Sequence, residues 1–232
     1  MNLKIENHSH ADDKFLNEFY FEVENLPAKL VELINKKNLK IILADKFSDV
    51  IDEQTLDSIK EYKENYNLDN IDKTIRGSCS VDIDGGSIFV FYNTTNGIVG
   101  AILYHEIGHI VDHFKNYEIS SFSNDIRFVN AYKKDLSINW KKIKKDNRFR
   151  LVHFIQNSTP ENLNELAMQE TFAHCFAKSF NKVDDIDIVE DYFENSLNIT
   201  KEIVNEFLSN NKILYKLNYL YGIALQLHLL IN

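Results

Sequence analysis

The alternation of apolar and polar positions divides the chain into helical and extended stretches. Phe15, Phe19, Val23, Leu26, Leu30, Leu33 and Ile34 fall on one stripe at helical spacing, so residues 15–36 are expected to form an amphipathic helix. Pro27 lies inside that run and is placed to break it in two. Leu39-Lys40-Ile41-Ile42-Leu43-Ala44 is short and rich in branched residues, as a buried strand is. Helical spacing returns over residues 52–65, and residues 67–76 are polar and read as a loop. Asp84-Gly85-Gly86 is a turn signal between two β-prone runs, so residues 79–93 read as a hairpin. An apolar run from Gly97 to Leu103 leads into a further helix, which buries Ile107, Ile110, Val111 and Phe114. Residues 125–132 suggest a short helix. Residues 133–150, rich in Lys and Arg around Trp140, read as a solvated helix face, with an acidic substrate as their other use. A helix capped by Ser158 or Thr159 is expected from Pro160 to Phe180, with Leu163, Leu166, Ala167, Glu170, Ala173, His174 and Ala177 at helical spacing. Residues 187–208 are again amphipathic.

Residues 214–231 are strongly apolar but interrupted by Lys216, Asn218, Gln226 and His228. A spanning helix needs about 20 predominantly apolar residues. The stretch therefore reads as a core or docking helix, with a homodimer interface as an alternative use and no membrane contact expected.

With 232 residues, 44% of them hydrophobic, the chain can bury a core as a single domain without disulfides. The expected division is an N-terminal helical part over 1–38, a core over 39–180 and C-terminal helices over 181–232. The net charge of −9 lacks the clustered positive charge of a nucleic-acid footprint. Cys79 and Cys175 show no pairing signature, and two thiols are too few for a Cys-type zinc site. Residues 1–10 contain no apolar leader segment, which fits a cytoplasmic protein or one exported by a non-standard route. His8 and His10 read as part of a frayed polar terminus.

Candidate chemistry concentrates in His105-Glu106-Ile107-Gly108-His109. Residues four apart share a helix face, so the two imidazoles can address one ion while Glu106 projects beside them. A third ligand is sought downstream. Glu170 lies on a helix rich in small and apolar residues, where an unpaired carboxylate would cost several kcal/mol, of order. On the residues alone Glu161 and Glu165 compete with it, as does a plain surface role.

The stretch 104–113, Tyr-His-Glu-Ile-Gly-His-Ile-Val-Asp-His, resembles the zinc helix of the anthrax lethal factor catalytic domain and the Pro-Pro endopeptidases, including the Asp that follows after two residues. Residues 170–177, Glu-Thr-Phe-Ala-His-Cys-Phe-Ala, resemble the second helix of that family, of form Glu-Phe-Phe-Ala-Glu-x-Phe. The resemblance covers residues 28–180 and implies an α+β fold: a mainly helical zincin-like metallopeptidase domain with a small β-sheet beside the active-site helix. It implies Zn2+ held by His105, His109 and Glu170, Glu106 as general base, and Asp112 as a supporting or structural partner. The implied activity is hydrolysis of peptide bonds in protein or peptide substrates.

Two positions depart from the family pattern. Leu163 stands where the family has a tyrosine that hydrogen-bonds the oxyanion, and His174 stands where it has a second glutamate. Tyr92, Tyr104, His153 and Asn157 are the candidates to replace the tyrosine. His174 reads as a supporting group, a proton donor or a packed core histidine. The stretch between the ligands is also longer than in the family. The hairpin could pair with an extended substrate backbone or simply cap the core. Two alternative functions remain on the same residues: an intracellular metallopeptidase of the repressor-cleaving type, and a non-catalytic binding module.

Overall fold

The computed structural model describes residues 3–51, 72–73, 75–82, 85–95, 98–113, 121–146, 154–155, 157–182 and 188–209. In chain order the elements are β1 (Lys4–Asn7), α1 (Asp13–Glu24), α2 (Ala28–Lys36), β2 (Leu39–Ala44), β3 (Gly77–Asp82), β4 (Gly85–Phe91), α3 (Val99–His113), α4 (Ile126–Ile143), α5 (Glu165–Ser179), α6 (Ile188–Tyr192) and α7 (Glu194–Ser209). The expected helix over 52–65, the apolar stretch over 214–231 with its dimer interface, and His153 lie outside the described residues.

The strands form one sheet in the order β1-β2-β4-β3. β2 runs parallel to both β1 and β4, while β3 is antiparallel to β4. Ile41, Leu43, Ile88 and Val90 of the two central strands are fully buried in the core. This mixed architecture of many helices around a small sheet fits the expected α+β class. β1 and the contacts after it correct the reading of His8 and His10 as a frayed terminus, and the His8 N–H donates to the Leu43 carbonyl at 2.8 Å. Ile5 pairs with Ile41, Lys40 reaches Glu6 at 2.6 Å, and His10 hydrogen-bonds Asp45 through both its backbone N–H and its ring. Lys4, Ile5, Glu6 and Asn7 carry too little apolar signal to be read as a strand without the partner.

Pro27 divides the first helical stretch as expected. α1 ends at Glu24 and α2 begins after Pro27, where a missing N–H costs nothing. The hairpin register pairs Asp82 with Gly85. Gly85 has φ +148°, and a Cβ there would stand 2.8 Å from the Asn38 carbonyl oxygen, so only glycine fits.

Two helix boundaries differ from the expected ones. α4 is continuous from Ile126 to Ile143, its Asp125 cap accepting from the Arg127 N–H, so the short helix and the basic stretch are one element. Lys133, Lys134, Lys141 and Lys142 lie on its exposed side. α5 starts at Glu165, five residues later than expected, because Asn164 caps it by accepting from the Ala167 N–H. Ser158 and Thr159 instead bind the turn before it: Ser158 accepts from the Asn164 N–H and Thr159 from the Asn162 N–H. Leu163 therefore lies outside the helix.

α7 begins under a carboxylate from another helix. Asp135 of α4, almost fully buried, accepts hydrogen bonds from the N–H groups of Asn195 and Ser196 and from both their side chains, at 2.6–3.1 Å. The first N–H groups of a helix have no partner within it, and Asp135 supplies one from outside.

Candidate metal centre

α3 is the central helix, packed against α1, β3, β4 and α5. Val99, Leu103, Ile107, Ile110 and Val111 are fully buried and fix which face it turns inward. His105 and His109 then stand one turn apart on one face. Their Nε2 atoms are 3.0 Å apart and their rings are perpendicular.

Glu170 arrives from α5. Its Oε2 lies 3.5 Å from His105 Nε2 and its Oε1 lies 3.5 Å from His109 Nε2. The close approach of the two helices depends on Gly108, inside the motif. A Cβ on Gly108 would stand 3.0 Å from Ala173 Cα and 3.1 Å from Phe176 Cβ. The helices thus cross where one residue has no side chain and the other only a methyl.

The three donor atoms fit a small divalent cation. Atoms bound tetrahedrally at about 2.0–2.1 Å sit about 3.3–3.4 Å apart, close to the spacings found. Two imidazole nitrogens with one carboxylate are a donor set of borderline softness. Glu170 keeps 29% of its side chain exposed, against 16–17% for the histidines, so the cluster is open to solvent on that side. One donor atom each from His105, Glu170 and His174 also lie within 4.8 Å of one another, so His174 borders the same point.

Burial favours the neutral form of Glu170, but the hydrogen bond from His105 and the charges of His105, His109 and His174 outweigh it and hold the carboxyl well below the usual range. Burial also opposes protonation of His105, yet Glu170 and Glu106 raise its pKa overall. His109 is pushed down to about 4 by burial and by His105, which leaves it neutral at pH 7.

Glu106 is buried at 6% exposure beside this cluster, against β3. A Cβ on Gly77 would stand 2.8 Å from Glu106 Oε1 and 2.6 Å from Ile102 Cγ2, so the strand leaves just enough room for the carboxylate. The Cys79 thiol, two residues on, hydrogen-bonds Glu106. Burial raises the Glu106 carboxyl to about 7, with His105 opposing and Glu170 adding to the effect. Burial and the same carboxylate drive the Cys79 thiol upward, so it stays protonated and donates. The sequence pointed to Cys79 neither as a disulfide partner nor as a zinc thiolate, and this contact was missed. Its place on the strand preceding the motif helix was the available signal.

His105, His109 and Glu170 therefore converge, with Glu106 adjacent. The rival carboxylates do not join them: Glu161 is exposed, and exposed Glu165 accepts from Asn124 Nδ2 at 3.2 Å. Asp112 is buried and accepts two hydrogen bonds from Ser123, from the N–H at 2.6 Å and from the hydroxyl at 2.8 Å, and a further one from the Phe122 backbone, so it anchors the chain entering α4. Burial raises its carboxyl to about 6 despite these bonds.

Among the tyrosines considered for the oxyanion, Tyr92 donates to Asp12 at 3.3 Å and packs on Phe15. Tyr104 lies against Phe180 with Lys182 over its ring. Asn157 is exposed at φ +68°. None of these observed contacts is with the cluster. No described helix is long and apolar enough to cross a membrane.

No protein-family model and no curated protein sequence matches the chain. Among solved structures it is similar to the Pro-Pro endopeptidase from Paenibacillus alvei, with a TM-score of 0.48 and 15% sequence identity, over 86% of this chain and 96% of that one.

Proposed function

We propose that this protein is a zinc-dependent endopeptidase, a zincin-like domain of the lethal factor and Pro-Pro endopeptidase type. The observation that carries the reading is the meeting of His105, His109 and Glu170 at 3.0–3.5 Å from two separate helices, with buried Glu106 beside them on the same His-Glu-x-x-His turn. His105, His109 and Glu170 would hold the ion. Zinc in such a site supplies Lewis acidity, acidifying a water to a pKa of about 7 and polarising the scissile carbonyl.

The chain's own residues do the rest. Glu106, with a carboxyl near pH 7, is poised to accept the proton of the attacking water and to return it to the leaving nitrogen. Gly77 and Cys79 hold that carboxylate against β3, limiting its rotation. Among the described residues β3 is one of the two outer strands of the sheet, the one next to α3. Its outer backbone edge suits an extended peptide pairing alongside the cluster.

The test is metal analysis together with a peptide-library digest, on the native protein and on Glu106→Ala. The variant is expected to retain zinc and lose cleavage. Loss of zinc from Glu106→Ala, with Glu170→Ala retaining it, would reverse the assigned roles. Retained zinc without turnover in the native protein would leave the binding-module reading, which Leu163 in place of a tyrosine favours.

A further inference from the structure

His174 follows Glu170 by one helical turn, on the same face of α5. Its ring lies 4.2 Å from that of His105, centroid to centroid, and Phe154 stacks against it at 4.5 Å. His105, Glu170 and His174 each bring a donor atom within 4.8 Å of the other two. We propose that His174 is a fourth protein ligand, so that the centre is built from three imidazoles and one carboxylate. The inference rests on reading this cluster as a metal centre.

Two geometric facts carry it. Ligand atoms bonded at about 2.0–2.1 Å can be at most about 4.2 Å apart, on opposite sides of the ion. The spacing limit of 4.8 Å exceeds this by well under an ångström. Second, the Nδ1 atom of His105 is buried and has no hydrogen-bond partner. The ring of a metal-bound histidine is ordinarily fixed by such a partner, commonly a carboxylate or carbonyl. His174 does not fill that role, since no hydrogen bond joins it to His105 Nδ1. Its nitrogen instead lies with the donors of His105 and Glu170, which in turn meet His109.

A four-ligand set is typical of closed sites, whereas hydrolytic sites keep one position open. With His174 among the residues that would hold the ion, a substrate water would have to share or take its place. His174 becomes the residue that sets how readily the centre admits a substrate.

The experiment loads the full chain with zinc or cobalt(II) and counts coordinated imidazoles by X-ray absorption, alongside zinc affinity by competition. His174→Phe keeps a ring on Phe154 and removes the nitrogens, and His174→Gln guards against a packing artefact. Native protein is expected to show three imidazoles, and both variants two, with zinc affinity lowered more than the roughly 10–100-fold that loss of an outer hydrogen-bond partner costs. An imidazole count that is the same in the native protein and the variants overturns the proposal, whatever the affinity. His109→Phe separates the two readings. If it leaves zinc affinity unchanged, the underlying metal centre has been misassigned; if it weakens binding while His174→Phe does not, only the fourth ligand fails.

Discussion

Replacing Glu106 by glutamine should stabilise the metal-free protein, and more so as the pH rises. The carboxyl moves from an ordinary 4.5 to about 7, chiefly through burial. The folded state therefore holds this proton more tightly than the unfolded chain does. Stability attributable to the group is complete below pH 4.5, falls as the pH rises, and is fully lost above about pH 7. At about 1.36 kcal/mol per pH unit, the loss is of order 1 kcal/mol at pH 5 and of order 3 kcal/mol at pH 8. Glutamine has nearly the same shape, can still accept from Cys79, and cannot ionise. The variant's advantage over the parent should thus grow by roughly 2–3 kcal/mol between the two pH values. For a chain of this size that is about 5–10 °C in Tm. The assay is thermal or urea unfolding of both proteins with chelator present, at pH 5 and pH 8. Asp112 is also buried and raised, but it titrates in both proteins and cancels in the difference. An advantage of equal size at the two pH values would refute the reasoning, because it would mean that the carboxylate is hydrated in the fold.

Three further outcomes follow from the geometry. Gly77→Ala places a methyl within 2.6–2.8 Å of Ile102 and Glu106, and should lower kcat by roughly 10–100-fold while zinc content measured by atomic absorption stays at the native level. Gly108→Ala forces α3 and α5 apart by a few tenths of an ångström at Ala173 and should weaken zinc binding, read by chelator competition, with a helical circular dichroism spectrum that is unchanged. Asp112→Ala strands the buried N–H of Ser123, whose hydroxyl keeps Ser121 as a partner, and should cost about 1–3 kcal/mol in urea unfolding at pH 8, with no direct loss of a metal donor.

Much of the site could be read from the chain because helical periodicity is local. The spacing of His105 and His109 places both on one face of any helix that contains them, and the apolar residues between and beyond them indicate which face is buried. Glu170 could be singled out from Glu161 and Glu165 only through the resemblance of its helix, since nothing in the residues themselves shows where a second helix will cross. That crossing depends on Gly108 meeting Ala173, a pairing between residues far apart in sequence. The same limit hid β1, whose partner lies more than thirty residues away, and the contact of Cys79 with Glu106. The late start of α5 has a different cause. Ser158, Thr159 and Asn164 can each cap a helix, and the turn at 159–162 decides that Asn164 does so.

The carboxylate of Asp135 at the head of α7 bears on how far the chain can be shortened. Both halves of the donor set lie before residue 180, which invites a trimmed version ending there. Such a fragment would strip four donors from a nearly inaccessible anion, the kind of loss a fold tolerates least. It would also remove Phe193, which stacks on Phe154, the ring that in turn lies against His174. A line of aromatic planes thus joins the C-terminal helices to the imidazoles, and damage at one end should be felt at the other.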